Sequence, residues 1–271
     1  MFSEYKISTS SYDLYGRMWL AEKEKALVCL IHGIGEHCGR YDHVAEMMNE
    51  AGYSVYAVDL PGHGRSEGKR GHAGTSDELM EAVDELINYA RRGKKDIPIF
   101  IMGHSMGGNI VLSHRFYRQS ANILGYISSS PWLKTNNAIL NDHYKFARFA
   151  ADIMPNLAIV NTAIKVPLCT DRAMAPADEL CHIKITMRTA ADRERDARLV
   201  LENAAKGRPV YLFVGDQDKV CLPSAARRFS EAAGKNCVFR VWEGLAHETM
   251  NERAWKDVVS EVIMWMDSML L

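Results

Sequence analysis

Ser105 lies between two glycines, in a pattern that makes a serine hydroxyl an exposed nucleophile. The apolar run Ile99–Met102 leads directly into Gly103-His104-Ser105-Met106-Gly107, and a helical pattern follows. In such a strand–turn–helix unit the serine occupies a strained backbone position, and the residues two before and two after it must be small. The start of the helix also directs unpaired N–H groups and the positive end of its dipole toward this point. We therefore predict that Ser105 is a nucleophile for acyl transfer.

A serine hydroxyl attacks efficiently only when a base takes its proton, so one of the ten histidines should lie beside it. His247 is the best candidate, because it follows the predicted strand Cys237–Trp242 in a short loop and precedes the last helix. His104 is adjacent to Ser105 in sequence, but we expect its side chain to point away from the serine. Four other histidines fall in other loops of the same sheet edge and suit structural or substrate contacts: His32, His37, His63 and His72.

The histidine in turn needs a carboxylate that fixes its tautomer and stabilises its cation. Asp216 and Asp218 both follow the predicted strand Val210–Val214 at its carboxyl end, so either aspartate could serve. The chain order of serine, then aspartate, then histidine is the order expected for a nucleophile in a G-x-S-x-G turn.

Two backbone N–H groups are needed to stabilise the negative charge of a tetrahedral intermediate. Met106 follows the serine and supplies one. The second should come from the loop His32–Gly35, which follows the buried strand Ala26–Ile31. We assign Ile34 as this donor, with Gly33 as the alternative.

These side chains must be held at one edge of a sheet, and the chain predicts such a sheet. Short apolar runs alternate with helical patterns, which indicates a mostly parallel sheet covered by helices on both faces. An antiparallel pair, Tyr5–Thr9 and Tyr12–Leu20, opens the chain. The further predicted strands are Ala26–Ile31, Tyr53–Val58, Ile97–Met102, Ile123–Ser128, Val210–Val214 and Cys237–Trp242, and the predicted helices are Tyr41–Ala51, Asp77–Arg92 with Ser76 as N-cap, Met106–Arg118, Ser224–Ala233 and Asn251–Leu270.

Residues 131–207 interrupt this alternation, so we predict a core of residues 1–130 and 208–271 with an insertion before the last two strands. A segment of this length is too long for a structureless loop. We interpret it as a helical cap over the carboxyl ends of the strands, although padding along the flank of the sheet would also fit. The insertion combines a charged stretch, Asp192–Arg198, with apolar positions at helical spacing: Ile139, Leu140, Phe146, Phe149 and Ile153.

Composition argues against several other classes of protein. Lys and Arg total 33 against 34 Asp and Glu, giving a formal net charge of −1, so neither a nucleic acid nor an anionic membrane surface is an expected partner. The six cysteines show no CxxC pair and no zinc spacing, and His32 and His37 flank a glycine loop, so no metal or organic cofactor is implied.

The same features indicate a cellular location. No apolar stretch reaches the ~20 residues of a membrane span. The first residues lack the basic region and apolar core of a signal peptide, and cysteines without a disulfide pattern suit a reducing compartment. We expect a cytoplasmic protein, and nothing in the sequence specifies its oligomeric state.

Six motifs occur together on both sides of the insertion: His32-Gly33-x-Gly35-Glu36-His37-x-x-Arg40-Tyr41, Asp59-x-x-Gly62-His63-Gly64-x-Ser66-x-Gly68, Arg70-Gly71-His72, Gly103-His104-Ser105-Met106-Gly107-Gly108, Gly215-x-x-Asp218 and Gly244-x-x-His247-Glu248. Together they resemble the monoacylglycerol lipase/lysophospholipase group, the serine aminopeptidase S33 (hydrolase-4) type of α/β-hydrolase. The resemblance covers residues 26–130 and 208–270. It implies the α/β-hydrolase fold, a triad of Ser105, Asp218 and His247, and oxyanion donors at Ile34 and Met106.

The resemblance further implies hydrolysis of a carboxylic ester with one acyl chain, such as a monoacylglycerol or lysophospholipid, through an acyl-enzyme on Ser105. An apolar tunnel under the cap would hold the acyl chain, and the cap could contact a membrane transiently. The cap departs from the family, since Cys181–Arg188 replaces an Asp-Pro-Leu-Val-like segment, and this affects the substrate pocket. The candidate substrate contacts are Gly33, His104, Ile139, Phe146 and Phe149.

Two other functions remain open at this point. The same triad could serve an esterase of aromatic or short-chain esters, or an amidase or peptidase. A binding protein without catalysis could also use this fold, but the intact serine, aspartate and histidine argue against it.

Overall fold

The computed structural model describes residues 1–94, 96–118, 122–136, 144–161, 166–171 and 178–271, with only the backbone of Tyr144, Phe146 and Ala147. The strands are β1 Ser3–Ser8, β2 Asp13–Trp19, β3 Ala26–Ile31, β4 Tyr53–Val58, β5 Ile99–His104, β6 Ile123–Ser129, β7 Ala158–Val160, β8 Lys184–Thr186, β9 Val210–Gly215 and β10 Cys237–Trp242. The helices are α1 Asp42–Glu50, α2 Ser76–Ala90, α3 Met106–Tyr117, α4 Tyr144–Ile153, α5 Met187–Glu202, α6 Pro223–Ala233 and α7 Trp255–Ser268, with short 3-10 turns at Cys38–Tyr41, Gly234–Asn236 and Thr249–Asn251.

A large sheet orders its strands β1-β2-β4-β3-β5-β6-β9-β10. The pairs β1–β2 and β2–β4 are antiparallel. From β4 to β10 every neighbouring pair is parallel. The predicted mostly parallel sheet with an opening antiparallel pair is confirmed. Because β3, β5, β9 and β10 run in one direction, the loops that follow them meet at one edge of the sheet.

Helices cover both faces of this sheet, as its fully buried central strands require. One apolar cluster joins the sheet to α2, α3 and α6. A second cluster joins the opposite face to α1 and α7. Strands β3, β4, β5 and β9 are buried along their whole length, which explains why they appear as continuous apolar runs in the sequence.

Two predicted helix starts were wrong. Helix α2 is capped by Thr75 rather than Ser76. The Thr75 side chain accepts from the Glu78 N–H, and the Glu78 carboxylate accepts from the Thr75 N–H. The Ser76 hydroxyl instead donates to Asp196 at 2.5 Å. The last helix begins at Trp255 instead of Asn251.

The insertion contains more than the predicted helices. Between α4 and α5, strands β7 and β8 pair antiparallel. The charged stretch Asp192–Arg198 lies within α5, where it is largely buried rather than solvated. There Arg193 is fully buried and donates to the Asn109 side chain of α3 at 2.9 Å and to the Ser76 hydroxyl of α2 at 2.7 Å. This half of the insertion is therefore anchored on the core helices.

Candidate active site

Ser105 is the single residue between β5 and α3, and its backbone is strained. Its φ of 53° and ψ of −112° lie in a region that residues with a side chain rarely adopt. Both flanking glycines are required by the space around the turn. A Cβ on Gly103 would lie 2.3 Å from the Gly107 carbonyl oxygen, and one on Gly107 would lie 2.1 Å from that of Ile31. The turn thus projects the serine side chain at the end of the sheet.

The structure brings Ser105, His247 and Asp218 together in one hydrogen-bonded chain. His247 Nε2 lies 3.0 Å from Ser105 Oγ, and His247 Nδ1 lies 2.8 Å from Asp218 Oδ2. The other carboxylate oxygen of Asp218 accepts from the Val220 and Cys221 N–H groups at 2.8 and 3.0 Å. All three side chains are buried. A base can therefore take the serine proton while the carboxylate holds the imidazole in the required tautomer.

The two candidate aspartates have different contacts. Asp216 is exposed, and its carboxylate accepts from the Gly244 N–H at 2.8 Å. Asp218, which the resemblance favours, faces His247.

The two histidines at the serine have pKa values shifted in opposite directions. Burial lowers the pKa of His247, but the charge and hydrogen bond of Asp218, together with the charges of Glu248 and Glu36, raise it above its ordinary value. Burial, together with repulsion from His247, lowers the pKa of His104 to about 3. His104 is therefore neutral at physiological pH, and His247 is the group that titrates near neutrality.

The loop after β3 uses one of its two candidate oxyanion donors in an internal hydrogen bond. The Gly33 N–H donates to Glu36 Oε1 at 2.5 Å. This bond occupies Gly33, the alternative oxyanion donor, and leaves Ile34 as the candidate from this loop. Met106 is the first residue of α3, so its N–H is among the donors that a helix leaves without an internal acceptor. Ile34 and Ser105 line the same cavity.

That cavity has a volume of about 260 Å³ and opens above Ser105. The core contributes Ile34, His104 and His247 to its wall, and the insertion contributes Leu168 and Cys181–Ile183. The segment Cys181–Ile183 contacts the loop after β3, because the His182 N–H donates to the Gly35 carbonyl oxygen at 2.8 Å. Residues of the insertion thus form part of the cavity wall.

The candidate substrate contacts differ in whether they line the cavity. Gly33 and His104 line the cavity. The expectation that His104 points away from the serine was wrong, since its ring centre lies 4.9 Å from that of His247. Phe149 is 61% exposed, so in this structure it does not line an enclosed tunnel. Ile153 is 62% exposed as well. Ile139, Leu140 and the Phe146 side chain lie outside the described residues.

A buried ion cluster beside the triad received no role from the sequence. Arg40 Nη2 lies 2.6 Å from Glu248 Oε2, and Arg40 Nε lies 3.5 Å from Glu36 Oε2. All three side chains are at least 88% buried and line the cavity. Their presence in two of the quoted motifs was the available signal. The contact between those motifs, 208 residues apart, could not be inferred from either motif alone.

One group of side chains in the described residues has the types and spacing of metal ligands: His37, Asp178 and Cys181. His37 Nδ1 accepts from the Gly39 N–H at 3.2 Å, which places the ring proton on Nε2. Nε2 then donates to Asp178 Oδ2 at 2.7 Å. This arrangement is a satisfied hydrogen-bonded pair, with no free nitrogen lone pair for a metal.

The sequence model of the Hydrolase_4 family, described as serine aminopeptidase, S33, matches residues 22–254. This span includes Ser105, Asp218 and His247. The chain belongs to this family. The predicted membership is thereby confirmed.

Named relatives and a solved structure agree with this membership. The chain is 30% identical to phospholipase YtpA of Bacillus subtilis, over 89% of this chain and 94% of that protein. It is also 30% identical to an uncharacterized abhydrolase domain-containing protein of Dictyostelium discoideum, but spans only 27% of that protein's length. The crystal structure of Paleococcus ferrophilus monoacylglycerol lipase superimposes with a TM-score of 0.84 at 29% identity, covering 94% of this chain and 99% of that one.

These similarities confirm the predicted α/β-hydrolase fold and reaction class. This member of the S33 family is a carboxylic ester hydrolase. No helix in the described part of the chain is both long enough and apolar enough to cross a membrane.

Proposed function

We propose that this chain hydrolyses lipid esters with a single acyl chain, in particular monoacylglycerols, through an acyl-enzyme on Ser105. His247 Nε2 takes the proton from Ser105 Oγ as the oxygen attacks the ester carbonyl carbon, and then gives it to the leaving alcohol. Water attacks the acyl-enzyme by the same route and releases the acid. Asp218 orients His247, and the N–H groups of Ile34 and Met106 stabilise the oxyanion. The hydrogen-bonded chain Ser105–His247–Asp218 at the base of the cavity is the observation that carries this proposal.

The charge around the cavity supports a neutral leaving alcohol. Arg40 is the one permanent cation among the described residues that line the cavity, and Glu36 and Glu248 already neutralise it. Burial lowers the pKa of both His104 and His182, which keeps these histidines uncharged. A phosphate would find no unpaired positive charge there, whereas a glycerol hydroxyl could bond to the polar atoms present. This favours monoacylglycerol over lysophospholipid, although a relative carries the name phospholipase.

The insertion supports both a cap and a membrane contact. We assign residues 131–207 as a cap on the core of residues 1–130 and 208–271, because Leu168 and Cys181–Ile183 line the cavity. Among the residues of this insertion that the structure describes, seven large apolar side chains are exposed: Phe149, Ile153, Met154, Leu157, Ile159, Val160 and Ile183. Ile183 also lines the cavity, so the apolar surface continues to its mouth. This surface suits transient contact with a lipid surface, from which an acyl chain could enter.

The cysteines support a cytoplasmic location for this activity. All six are free thiols in the structure. Free thiols persist where the compartment is reducing, whereas secreted proteins commonly pair them.

Two experiments test the proposed function. A fluorophosphonate probe should label the wild type and fail to label Ser105→Ala; an unlabelled wild type would refute the nucleophile. Values of kcat/KM should then be compared for monoacylglycerols of increasing chain length, lysophospholipids, aromatic esters and an aminoacyl amide. We expect the highest values for long-chain monoacylglycerols. A maximum for short or aromatic acids, or for the amide, would reject the lipid assignment and retain the serine mechanism.

A further inference from the structure

The buried cluster of Glu36, Arg40 and Glu248 connects the two loops on which the proposed reaction depends. Glu36 belongs to the oxyanion loop after β3, and Glu248 follows His247 directly in the loop after β10. Arg40 contacts both carboxylates, at 3.5 and 2.6 Å. We propose that Arg40 and Glu248 are positioning residues. They hold the oxyanion loop, which contains Ile34, and the histidine loop, which contains His247, in the relative position needed for the attack on the ester. This inference rests on the proposed function.

The bonds of Glu36 show how the cluster orients the oxyanion loop. Glu36 Oε1 accepts from the Gly33 N–H and, at 2.8 Å, from the Tyr41 hydroxyl. The bond to Gly33 fixes the backbone immediately before Ile34, so the direction of the Ile34 N–H depends on where the Glu36 carboxylate lies. Arg40 Nε lies 3.5 Å from the second oxygen of that carboxylate, an ion-pair contact without a hydrogen bond, and its positive charge favours this position of the carboxylate.

The bonds of Glu248 show how the cluster holds the histidine loop. Its Oε2 accepts from Arg40 and from Asn251 Nδ2, the latter at 3.0 Å. Its backbone N–H donates to the Leu168 carbonyl oxygen at 2.9 Å. Glu248 is thus held by bonds to both the core and the insertion, and the adjacent backbone carries His247. Movement of Glu248 would displace His247 relative to Ser105.

Such a cluster is a costly way to stabilise a fold. Removing ions from water carries a desolvation penalty, and well-packed apolar side chains often stabilise the same volume better. The cluster also has two carboxylates for one guanidinium, and burial, together with Glu36, raises the pKa of Glu248. Its bonds join segments that must agree to within fractions of an ångström for catalysis. A positioning role accounts both for the presence of a buried cluster with an excess of negative charge and for its location between these two loops.

The charged and titratable groups around His247 determine what a pH profile will report. Burial lowers the pKa of His247, while Asp218, Glu248 and Glu36 each raise it through their negative charge. His104 packs against the ring from the other side as a neutral group. Loss of the Glu248 charge should therefore lower the pKa of His247 and move the acid limb of kcat/KM to lower pH.

Two substitutions at position 248 separate the charge from the contact. Glu248→Asp keeps a carboxylate near His247 but is one methylene too short for the 2.6 Å contact with Arg40. Glu248→Gln keeps the length and removes the charge. Glu243→Gln is the matched control, since Glu243 is exposed in the same loop. Arg40→Lys tests the other partner, because lysine keeps the positive charge but lacks the planar guanidinium that contacts both carboxylates.

The measurements are kcat, KM and the pH profile with p-nitrophenyl butyrate, and the Ki of a trifluoromethyl ketone that mimics the tetrahedral intermediate. For Glu248→Asp and Arg40→Lys we expect kcat to fall about 10- to 100-fold with KM within about threefold. The Ki should rise in parallel, and the acid limb of Glu248→Asp should stay in place. Glu248→Gln, whose amide oxygen can still accept from Arg40, should lose less kcat than Glu248→Asp and show an acid limb at lower pH, while Glu243→Gln should match the wild type.

Folded variants with wild-type kcat and Ki, altered only in melting temperature, would overturn the positioning role. An unchanged acid limb in Glu248→Gln would overturn the assigned charge effect on His247. A wild type that hydrolyses no ester and takes no fluorophosphonate label would overturn the proposed function itself. The two failures are therefore distinguishable.

Discussion

At the scale of single residues, Asp216 and Asp218 are two positions apart yet contact different residues of the loop after β10. Asp218 bonds to His247, whereas Asp216 bonds to the Gly244 N–H. We expect Asp218→Asn to reduce kcat about 10⁴-fold, because an amide favours the wrong tautomer of the histidine. Asp216→Asn keeps an oxygen acceptor for Gly244, so its kcat should stay within about twofold of the wild type. Equal losses in the two variants would contradict the assigned triad.

The protonation of His247 sets the pH dependence. A protonated imidazole cannot accept the Ser105 proton, so activity is lost as pH falls through the His247 pKa. Because that pKa is raised, the midpoint should lie above the ordinary histidine value of about 6.5. His104, with a pKa of about 3, should not contribute to this limb. A log(kcat/KM) profile with a slope near one would agree, and a slope of two would show that a second histidine titrates.

At the scale of secondary structure elements, the turn between β5 and α3 allows no side chain at Gly107. The Cβ of an alanine there would lie 2.1 Å from the Ile31 carbonyl oxygen, which belongs to a buried strand that cannot move aside. We expect Gly107→Ala to lower the free energy of unfolding by more than about 4 kcal/mol. Gly93 has a positive φ of 75° but open space around it. Gly93→Ala should therefore cost only about 1–2 kcal/mol. Denaturant unfolding measures both, and similar losses would refute the steric argument.

Helix α5 depends on a buried arginine for its attachment to the core. Arg193 bonds to Asn109, Ser76 and Asp196, and Asp196 is itself fully buried. Arg193→Met removes one of the two arginines that pair with Asp196 and takes away the donor that Arg193 supplies to the buried Asn109 side-chain oxygen, so we expect a loss of about 2–3 kcal/mol of unfolding free energy. Arg65→Met should cost less than about 1 kcal/mol, because the pair that Arg65 forms with Glu4 is half exposed on both sides. Comparable losses would show that α5 is not anchored through Arg193.

At the scale of the whole molecule, the exposed apolar surface of the insertion should matter only when the substrate is in a lipid phase. Phe149→Glu/Ile153→Glu should reduce hydrolysis of monoacylglycerol in neutral lipid vesicles about 10-fold, since the lost apolar burial is worth at least ~1.4 kcal/mol. Hydrolysis of soluble p-nitrophenyl butyrate should not change. Met264→Glu, at a comparably exposed residue of α7, is the control. Equal rates on vesicles for both variants would reject the membrane contact.

Much of the fold followed from local patterns. Strands Ala26–Ile31 and Tyr53–Val58 have the predicted bounds, because short runs of mainly apolar residues mark fully buried strands. The errors arose where a distant residue competes for a local role. Ser76 has a suitable side chain for an N-cap, but Asp196, 120 residues away, bonds to its hydroxyl. The burial of Asp192–Arg198 could not be predicted either, since its partners lie on α2 and α3.

The sequence by itself determined the parallel sheet, the turn that places Ser105 at the end of the sheet and the candidacy of His247, because each depends on residues adjacent in the chain. The residues alone left Asp216 and Asp218 open, and the family resemblance favoured Asp218, which the tertiary structure shows bonded to His247. Only the tertiary structure occupied the Gly33 N–H with Glu36 and joined Arg40 to Glu248. These contacts depend on the order of strands in the sheet, which brings the loops after β3, β5, β9 and β10 to one edge. Hydrogen bonds are decided by fractions of an ångström between such loops, and spacing along the chain does not specify those distances.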